Sequence, residues 1–291
     1  VASRGLGDVY KRQIFACVGM VMPFMMAIAH YQYLKTGKDI YKGLTKAWSK
    51  GVAILFATGA VSGTMLSFEL GLLFPEFMKH AGPIFGMPFS LEGTAFFIEA
   101  IALGFFLYGW GKFNKWFHWF CGLIVGISGL ASGILVVAAN AWMNSPTGFD
   151  YMNGQYLNAD PIKAMFNEAW FPQSLHMTVA AFCATGFAVA GLHAYLILKK
   201  KNIRFHTKAF NIASMIAVIA ALIMPLTGDI AAKSVAERQP IKLAAMEAHF
   251  YTEDKAALVL GGVPDEESMQ VKYAIKAVSY THLRAHETLR Y

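Results

Sequence analysis

Cysteine and charged residues are both scarce in this chain of 291 residues. Its three cysteines lie in apolar stretches without CxxC spacing, which argues against a disulfide framework and a thiolate metal site. We interpret Cys17, Cys121 and Cys183 as small buried side chains. Charged residues make up only 15% of the chain and hydrophobic residues 56%, a balance that excludes an ordinary soluble domain.

The chain contains six apolar runs, each long enough to cross a bilayer, which requires about 20 mainly apolar residues. Backbone polar groups inside lipid must be bonded within their own segment, so such runs predict α-helices. We therefore predict an all-α fold, a polytopic transmembrane helical bundle with about six helices of a larger bundle. The runs are 14–34, 52–74, 90–110, 117–141, 173–198 and 209–228.

The net charge of +7 arises mainly from lysines in alternate connections between the runs. The connections 75–89 and 142–172 contain one lysine each. By the positive-inside rule the lysine-rich connections are cytoplasmic, and residues 142–172 and those after about 229 lie outside. The basic excess thus predicts topology, and no nucleic-acid partner is expected. The lysine-rich connections carry Lys35, Lys38, Lys42, Lys46 and Lys50; Lys112 and Lys115; and Lys199, Lys200, Lys201, Arg204 and Lys208.

Two carboxylates, Glu92 and Glu99, stand inside the third run. Charged groups within a spanning helix are costly, so each needs a reason. Seven residues correspond to two helical turns, which predicts that both side chains share one face, about 10 Å apart along the axis. This spacing suits a proton relay, or a relay that ends at a metal. A pair of interior carboxylates satisfied by neighbouring helices is the alternative.

Histidine is a second source of candidate ligands. His176 lies near the start of the fifth run, on the predicted outer side, where a neutral imidazole could bind a haem iron. A hydrogen-bonded core histidine is the alternative. We interpret His193 as structural or interfacial, place His118 and His206 in or near connections, and assign neither of those two a role.

A polar segment, QPIKLAAMEA at residues 239–248, follows the last run. Lys242 and Glu247 can supply a cation and a carboxylate to a redox-active headgroup that must lose protons. A solvated charge pair is the alternative. We interpret the neighbouring His249 as solvated, and Asp229 as the start of the loop.

Several strings, read in order, resemble subunit I of the cytochrome bd-type quinol oxidases. They are TGKDIY after the first run, SGTMLSFELG in the second, LEGTAFFIEA in the third, NAWMN at the end of the fourth and QPIKLAAMEAHF after the sixth. The wording SFELGLLFP is closer to the cyanide-insensitive branch of that family.

The resemblance implies roles for the candidate residues. It assigns Lys242 and Glu247 to quinol binding and oxidation, and Glu92 and Glu99 to the proton path beside the oxygen-reducing haem. It makes His176 an axial ligand of the low-spin b haem. The implied cofactors are a low-spin haem b, a high-spin haem b, and a haem d or second b-type haem.

The same resemblance implies an electrogenic quinol:oxygen oxidoreductase in the bacterial cytoplasmic membrane, with its quinol loop outside. Quinol is oxidised at the outer face and dioxygen is reduced to water, which contributes to the proton-motive force. The implied partners are a membrane-embedded subunit II and, as a further candidate, a small single-helix subunit.

Both ends of the chain differ from the rest. Residues 1–13 and about 278–291 lack the surrounding periodicity and resemble translated adapter sequence, so we predict them to be non-native. Residues 14–228 are then the six-helix transmembrane haem-binding region, and residues 229–277 begin the extracytoplasmic quinol-binding loop.

Some residues that the family requires are absent from this chain. Aligning TGKDIY puts the family's first axial histidine at about Arg12, where no histidine stands. The methionine that completes the low-spin haem would come from beyond residue 277. We therefore expect the chain by itself to be inactive and to retain haem weakly.

Two other classes of membrane protein compete with the oxidase interpretation. A proton-coupled secondary transporter would use Glu92 and Glu99, but we detect neither the internal repeat nor the paired Gly/Pro interruptions typical of such proteins. A haem-bearing membrane anchor would show paired histidines on facing helices, and His176 has no such partner in the sequence pattern.

Overall fold

The computed structural model of the chain describes residues 2–152, 155–251, 257–265 and 267–279. Long helices make up most of it, and the predicted all-α class is confirmed. The helices are α1 Ala2–Thr36, α2 Asp39–Leu73, α3 Pro75–Tyr108, α4 Lys115–Asn144, α5 Pro161–Met165, α6 Trp170–Leu198, α7 Ile203–Arg238 and α8 Pro240–Met246. The strands are β1 Asp150–Met152, β2 Gln155–Leu157, β3 Ala257–Asp265 and β4 Gln270–Ser279.

Five segments among the described residues are long and apolar enough to cross a membrane. They are Ile14–Thr36, Pro75–Tyr108, Lys115–Asn144, Trp170–Leu198 and Ile203–Arg238. The predicted run 52–74 lies in α2, a further helix of 35 residues. Large apolar side chains such as Ile54, Phe97 and Leu222 are exposed on these helices, as expected for surfaces that face lipid. The chain is a multi-pass membrane protein.

The segment 75–89, which we predicted to be a connection, is helical and forms the first half of α3. Pro75 stands in the first turn, where its missing N–H costs nothing. Ile84 and Phe85 are buried, and the Phe85 ring lies 5.2 Å from that of Trp142 on α4. Packing against α4 therefore stabilises a helix in a segment whose Gly and Pro content favours a loop.

Small residues allow the helices to approach closely, as is common in membrane bundles. Gly126 of α4 faces Phe24 of α1, so that an added Cβ would lie 3.1 Å from the phenyl ring. Gly186 of α6 faces the backbone of Ala217 on α7, where an added Cβ would lie 2.8 Å from the Ala217 Cα. These contacts hold α6 and α7 together and seat α1 against α4.

The three lysine-rich connections lie at one end of the bundle, hereafter the lysine-rich end. Ring contacts demonstrate this: His30 near the end of α1 lies 5.2 Å from Trp110, which follows α3. Trp48 near the start of α2 lies 6.0 Å from His193 near the end of α6. The lysines thus segregate to one end, as the sequence predicts, and the assignment of that end to the cytoplasm stays a prediction.

The chain divides inside α7 into two compact units, Val1–Pro225 and Leu226–Tyr291. In the second unit, α7 continues to Arg238, beyond the predicted start of the loop. Asp229 is therefore a helical residue, and its carboxylate pairs with Lys233 one turn later at 2.7 Å. This unit also contains α8 and the antiparallel pair β3–β4, in which Asp265 is opposite Gln270.

Candidate functional site

Glu92 and Glu99 both face α4, in agreement with their seven-residue spacing. The Ser132 hydroxyl donates a hydrogen bond of 3.0 Å to Glu92 Oε1. The Glu99 carboxylate lies against Gly129, 3.5 Å from the position that a Cβ would take there. Because α3 and α4 run antiparallel, the two carboxylates meet two positions one turn apart on α4. Their predicted roles stay predictions.

Ser132 is a residue that the sequence analysis missed. A half-buried carboxylate inside a spanning helix costs roughly 2.5–3.5 kcal/mol on insertion scales, and a donated hydroxyl offsets part of that cost. The signal that could have found it is a stripe of small residues in the fourth run, Gly129 followed three residues later by Ser132. Such residues leave room for side chains from a neighbouring helix.

Two further histidines lie toward the lysine-rich end, His118 in the α3–α4 interface and His30 on α1 beside it. His118 Nε2 donates to the carbonyl of Phe106 at 2.7 Å, and the two rings stack with centroids 4.5 Å apart. The His30 ring meets the His118 ring edge-on at 4.9 Å. Both histidines are buried, and His118 lies in the first turn of α4. Phe106 is seven residues beyond Glu99, on the same face of α3.

His193 has the structural role that we predicted. It is buried near the end of α6, and its Nδ1 lies 2.9 Å from Nδ1 of His206 on α7. One ring must donate and the other accept, so the accepting nitrogen carries no proton. It links the two helices that the Lys199–Asn202 turn connects.

His176 is half-buried in the second turn of α6. This turn is fixed beside the end of α4 by the Asn140 side chain, whose Nδ2 donates to Gln173 Oε1 at 3.1 Å. Trp170 Nε1 and Ser174 Oγ, close to His176 in the chain, are buried polar atoms without a hydrogen-bond partner among the described residues. Buried donors of this kind normally have a partner, so the region fits a further polar group.

The metal-ligating side chains near His176 suit a haem better than a bare metal ion. Among the described residues no cluster of three or more His, Cys, Asp or Glu side chains could hold a metal ion. A haem brings its own four nitrogen ligands and needs only axial ligands from the protein. His176 can supply one of them.

The second unit presents Lys242 and Glu247 at the two ends of α8. Gln239 precedes this short helix and Pro240 stands in its first turn. The Lys242 side chain is exposed. Glu247 follows the last helical residue, and its Oε2 lies 3.4 Å from His249 Nε2.

The interpretation of His249 as a solvated histidine is wrong. Its side chain is only 13% exposed, and that of Glu247 only 17%. The backbone folds back after α8, because the N–H of His249 donates to the carbonyl of Ala244 at 2.8 Å. This turn brings the imidazole to the carboxylate, and residue types alone do not predict it.

Comparison with known proteins identifies the family. Residues 9–290 match the family described as cytochrome bd terminal oxidase subunit I. The chain belongs to this subunit I family. The predicted resemblance is thereby confirmed, and the matched range includes residues 9–13 of the first terminal segment and 278–290 of the second. Their predicted non-native origin stays a prediction.

Curated relatives within the subunit I family match over most of this chain. A putative cytochrome bd menaquinol oxidase subunit I of Bacillus subtilis is 34% identical over 90% of this chain and 60% of its own length. A cytochrome bd-II ubiquinol oxidase subunit 1 of Escherichia coli is 29% identical over 90% of this chain and 52% of its own length. The chain therefore spans between half and three fifths of these relatives.

A solved bd oxidase from Geobacillus thermodenitrificans has the same fold. The chain superposes on it with a TM-score of 0.90 and 34% identity. The match covers 98% of this chain and 68% of the solved one. The predicted transmembrane helical bundle is confirmed by this likeness.

Proposed function

We propose that this chain is the part of a membrane quinol oxidase subunit I that binds quinol, holds one haem and carries protons to the oxygen-reducing centre. The observation that carries the proposal is the family match over residues 9–290. The whole enzyme would be an electrogenic quinol:oxygen oxidoreductase that reduces dioxygen to water. It would work with a membrane-embedded subunit II and, in some assemblies, a small single-helix subunit.

In this proposal His176 would hold the low-spin haem b through its imidazole. When bound, that haem accepts and passes on single electrons. The unpartnered donors of Trp170 and Ser174 in the same region support a polar ligand there. A high-spin haem b, and a haem d or second b-type haem, complete the proposed cofactor set.

Quinol oxidation needs a cation and a base close to one hydroxyl group. Lys242 stabilises the negative charge that develops on a quinol oxygen as its proton leaves. Glu247 accepts that proton, which a positioned carboxylate can do. His249, 3.4 Å from the Glu247 carboxylate, takes the proton onward to the solvent. The exposed Lys242 and half-buried Glu247 support this division of roles.

Protons for water formation pass along the α3–α4 interface in the proposal. Glu99 lies nearer to the lysine-rich end and Glu92 nearer to the opposite end. Ser132, hydrogen-bonded to Glu92, keeps that carboxylate in the interface. If the lysine-rich end is cytoplasmic, these protons come from inside while quinol protons leave outside. This polarity generates a proton-motive force without a pump.

The transporter and membrane-anchor alternatives receive no support from the family match. A proton-coupled transporter would use Glu92 and Glu99 without any haem. A membrane anchor would carry haem but would not consume oxygen. Haem content therefore separates the oxidase from the transporter, and oxygen uptake separates it from the anchor.

The test of the proposal is quinol-dependent oxygen uptake in membranes of a host that lacks its own terminal oxidases. The host expresses a full-length subunit I containing this sequence together with its partner subunit. We expect Lys242→Ala to raise the KM for quinol and to lower the rate of uptake, because the cation that stabilises the quinol oxygen is lost. Lys163→Ala, which removes an exposed lysine of α5, is the matched control and should behave as the parent. Unchanged kinetics in Lys242→Ala would contradict the proposed quinol site.

A further inference from the structure

A groove opens at the lysine-rich end, between the last turn of α1 and the first turn of α4. Its volume is about 400 Å³, and its lining consists of Leu34, Phe113, Asn114, Lys115 and Trp116. The chain shape creates it: α1 ends at Thr36, while the connection after α3 turns back to start α4 at Lys115. Neither the quinol segment nor the two glutamates of α3 takes part in the lining.

Aromatic side chains place this groove at the membrane surface. Tyr31 lies 6.2 Å from Trp116 and 6.0 Å from Trp119, and Trp119 Nε1 donates to the carbonyl of Ala27 at 3.0 Å. Trp116 is nevertheless 56% exposed, and the neighbouring Phe117 is 48% exposed. Exposed Trp and Tyr on spanning helices concentrate at the level of the lipid headgroups. The groove therefore opens where headgroups lie.

Three lysines stand at or next to the lining residues of the groove. Lys115 lines it, Lys35 follows the lining residue Leu34 in the chain, and Lys112 precedes the lining residue Phe113. All three lysines are exposed, and within the described part of the chain none of them pairs with a carboxylate. Lys42 and Lys46 at the same end lie over the rings of Tyr33 and Trp110 instead. The three groove lysines thus remain available to an external anion.

The combination of apolar wall and cationic rim selects one kind of ligand. Leu34, Phe113 and Trp116 offer an apolar surface to the first carbons of an acyl chain, whereas Lys115 and its neighbours offer charge to a phosphate. Basic pockets between spanning helices bind anionic lipid headgroups in this way. A soluble phosphate would use only the rim and leave the aromatic wall exposed.

We propose that this groove is a binding site for an anionic phospholipid, with its phosphate at Lys35, Lys112 and Lys115 and its upper acyl carbons against Phe113 and Trp116. The lipid belongs to the leaflet that contacts the lysine-rich end. The site is independent of the proposed quinol chemistry, so it can be tested without measuring oxidase activity.

The experiment uses full-length subunit I containing this sequence, together with its partner subunit, in nanodiscs that contain a trace of photoactivatable phosphatidylglycerol in phosphatidylcholine. Mass spectrometry of the digest locates the label. We expect the label to concentrate on residues 31–36 and 112–119, about tenfold above that from a photoactivatable phosphatidylcholine, because three cations lie at the rim. The groove variant Lys35→Gln/Lys112→Gln/Lys115→Gln should fall to the phosphatidylcholine level.

A matched control separates this site from general surface charge. The variant Lys199→Gln/Lys200→Gln/Lys201→Gln removes the same charge at the same end without touching the groove and should keep the labelling. Equal loss in the two variants, or equal labelling by both lipids, would overturn the proposal. Displacement of the label by excess inorganic phosphate would also overturn it, in favour of a soluble anion. Lys115→Gln alone, an exposed change that leaves the fold intact, should already lower the labelling several-fold.

Discussion

The contact between α6 and α7 at Gly186 yields a prediction whose magnitude follows from the structure. A Cβ added to Gly186 would lie 2.8 Å from the Cα and 2.9 Å from the N of Ala217, well inside the contact distance of about 3.5–4.0 Å. These are backbone atoms, so no side-chain rotation relieves the clash and the two helices must separate. Overpacking of this kind costs about 1–3 kcal/mol in the free energy of unfolding.

Gly191→Ala on the same helix is the control for Gly186→Ala. Gly191 is exposed, and nothing lies within 4 Å of an added Cβ there. Both changes gain the same helix propensity, so their difference isolates the clash, about 1–3 kcal/mol. For a unit of this size that predicts a melting temperature about 2–12 °C lower for Gly186→Ala than for Gly191→Ala. Thermal unfolding in nanodiscs measures it, and equal melting temperatures would refute the close packing of α6 on α7.

Three further predictions concern the polar contacts. Ser132→Ala removes the donor to Glu92 and should slow oxygen uptake by the full-length oxidase about 2- to 13-fold, the kinetic equivalent of one hydrogen bond of about 0.5–1.5 kcal/mol. Glu247→Gln removes the proposed proton acceptor and should slow quinol oxidation about 100-fold or more, measured with a soluble quinol analogue. A hydrogen bond from the Lys272 side chain holds the pKa of Asp265 below its usual range. The pairing of β3 with β4 should therefore be intact at pH values above the ordinary pKa of an aspartate. It should loosen as the pH falls through the lowered pKa of Asp265. Hydrogen exchange, corrected for its intrinsic pH dependence, measures this change.

Each of these predictions has an internal control. Ser90→Ala removes an exposed hydroxyl that bonds only within α3, and uptake should be unchanged. Glu237→Gln removes an exposed carboxylate of α7, and quinol oxidation should be unchanged. Asp265→Asn cannot ionise, so exchange in β3 and β4 should lose its pH dependence. The proposed roles of Ser132 and Glu247 would be contradicted if Ser90→Ala or Glu237→Gln lost as much activity as the corresponding test variant. The role of Asp265 would be contradicted if the pH dependence of exchange persisted in Asp265→Asn.

The sequence predicts best what depends on local helical geometry. Long apolar runs identify membrane helices because lipid imposes one solution on the backbone. The seven-residue spacing puts Glu92 and Glu99 on one face because helical periodicity is local. The lysines gather at one end because consecutive spanning helices run in opposite directions, so that alternate connections lie at the same end of the bundle.

Features that depend on contacts between distant residues were missed. Ser132 reaches Glu92 only because α3 and α4 pack antiparallel, across 40 positions of sequence. The segment 75–89 is helical because Phe85 packs against Trp142 of α4. The composition of the segment alone does not predict this contact. His249 approaches Glu247 because the chain folds back after α8, and a turn of that kind has no residue-type signature here.

The central claim is that this chain belongs to a haem-bearing quinol oxidase with His176 as a haem ligand. The most direct test is a reduced-minus-oxidised visible spectrum of membranes that contain the full-length subunit I and its partner, compared with His176→Ala and with the exposed His80→Ala as control. We predict low-spin b bands together with a far-red d-type or second b-type signal, and loss of the low-spin bands in His176→Ala alone. Absence of any haem signal despite good membrane expression, or low-spin bands that survive in His176→Ala, would contradict the account.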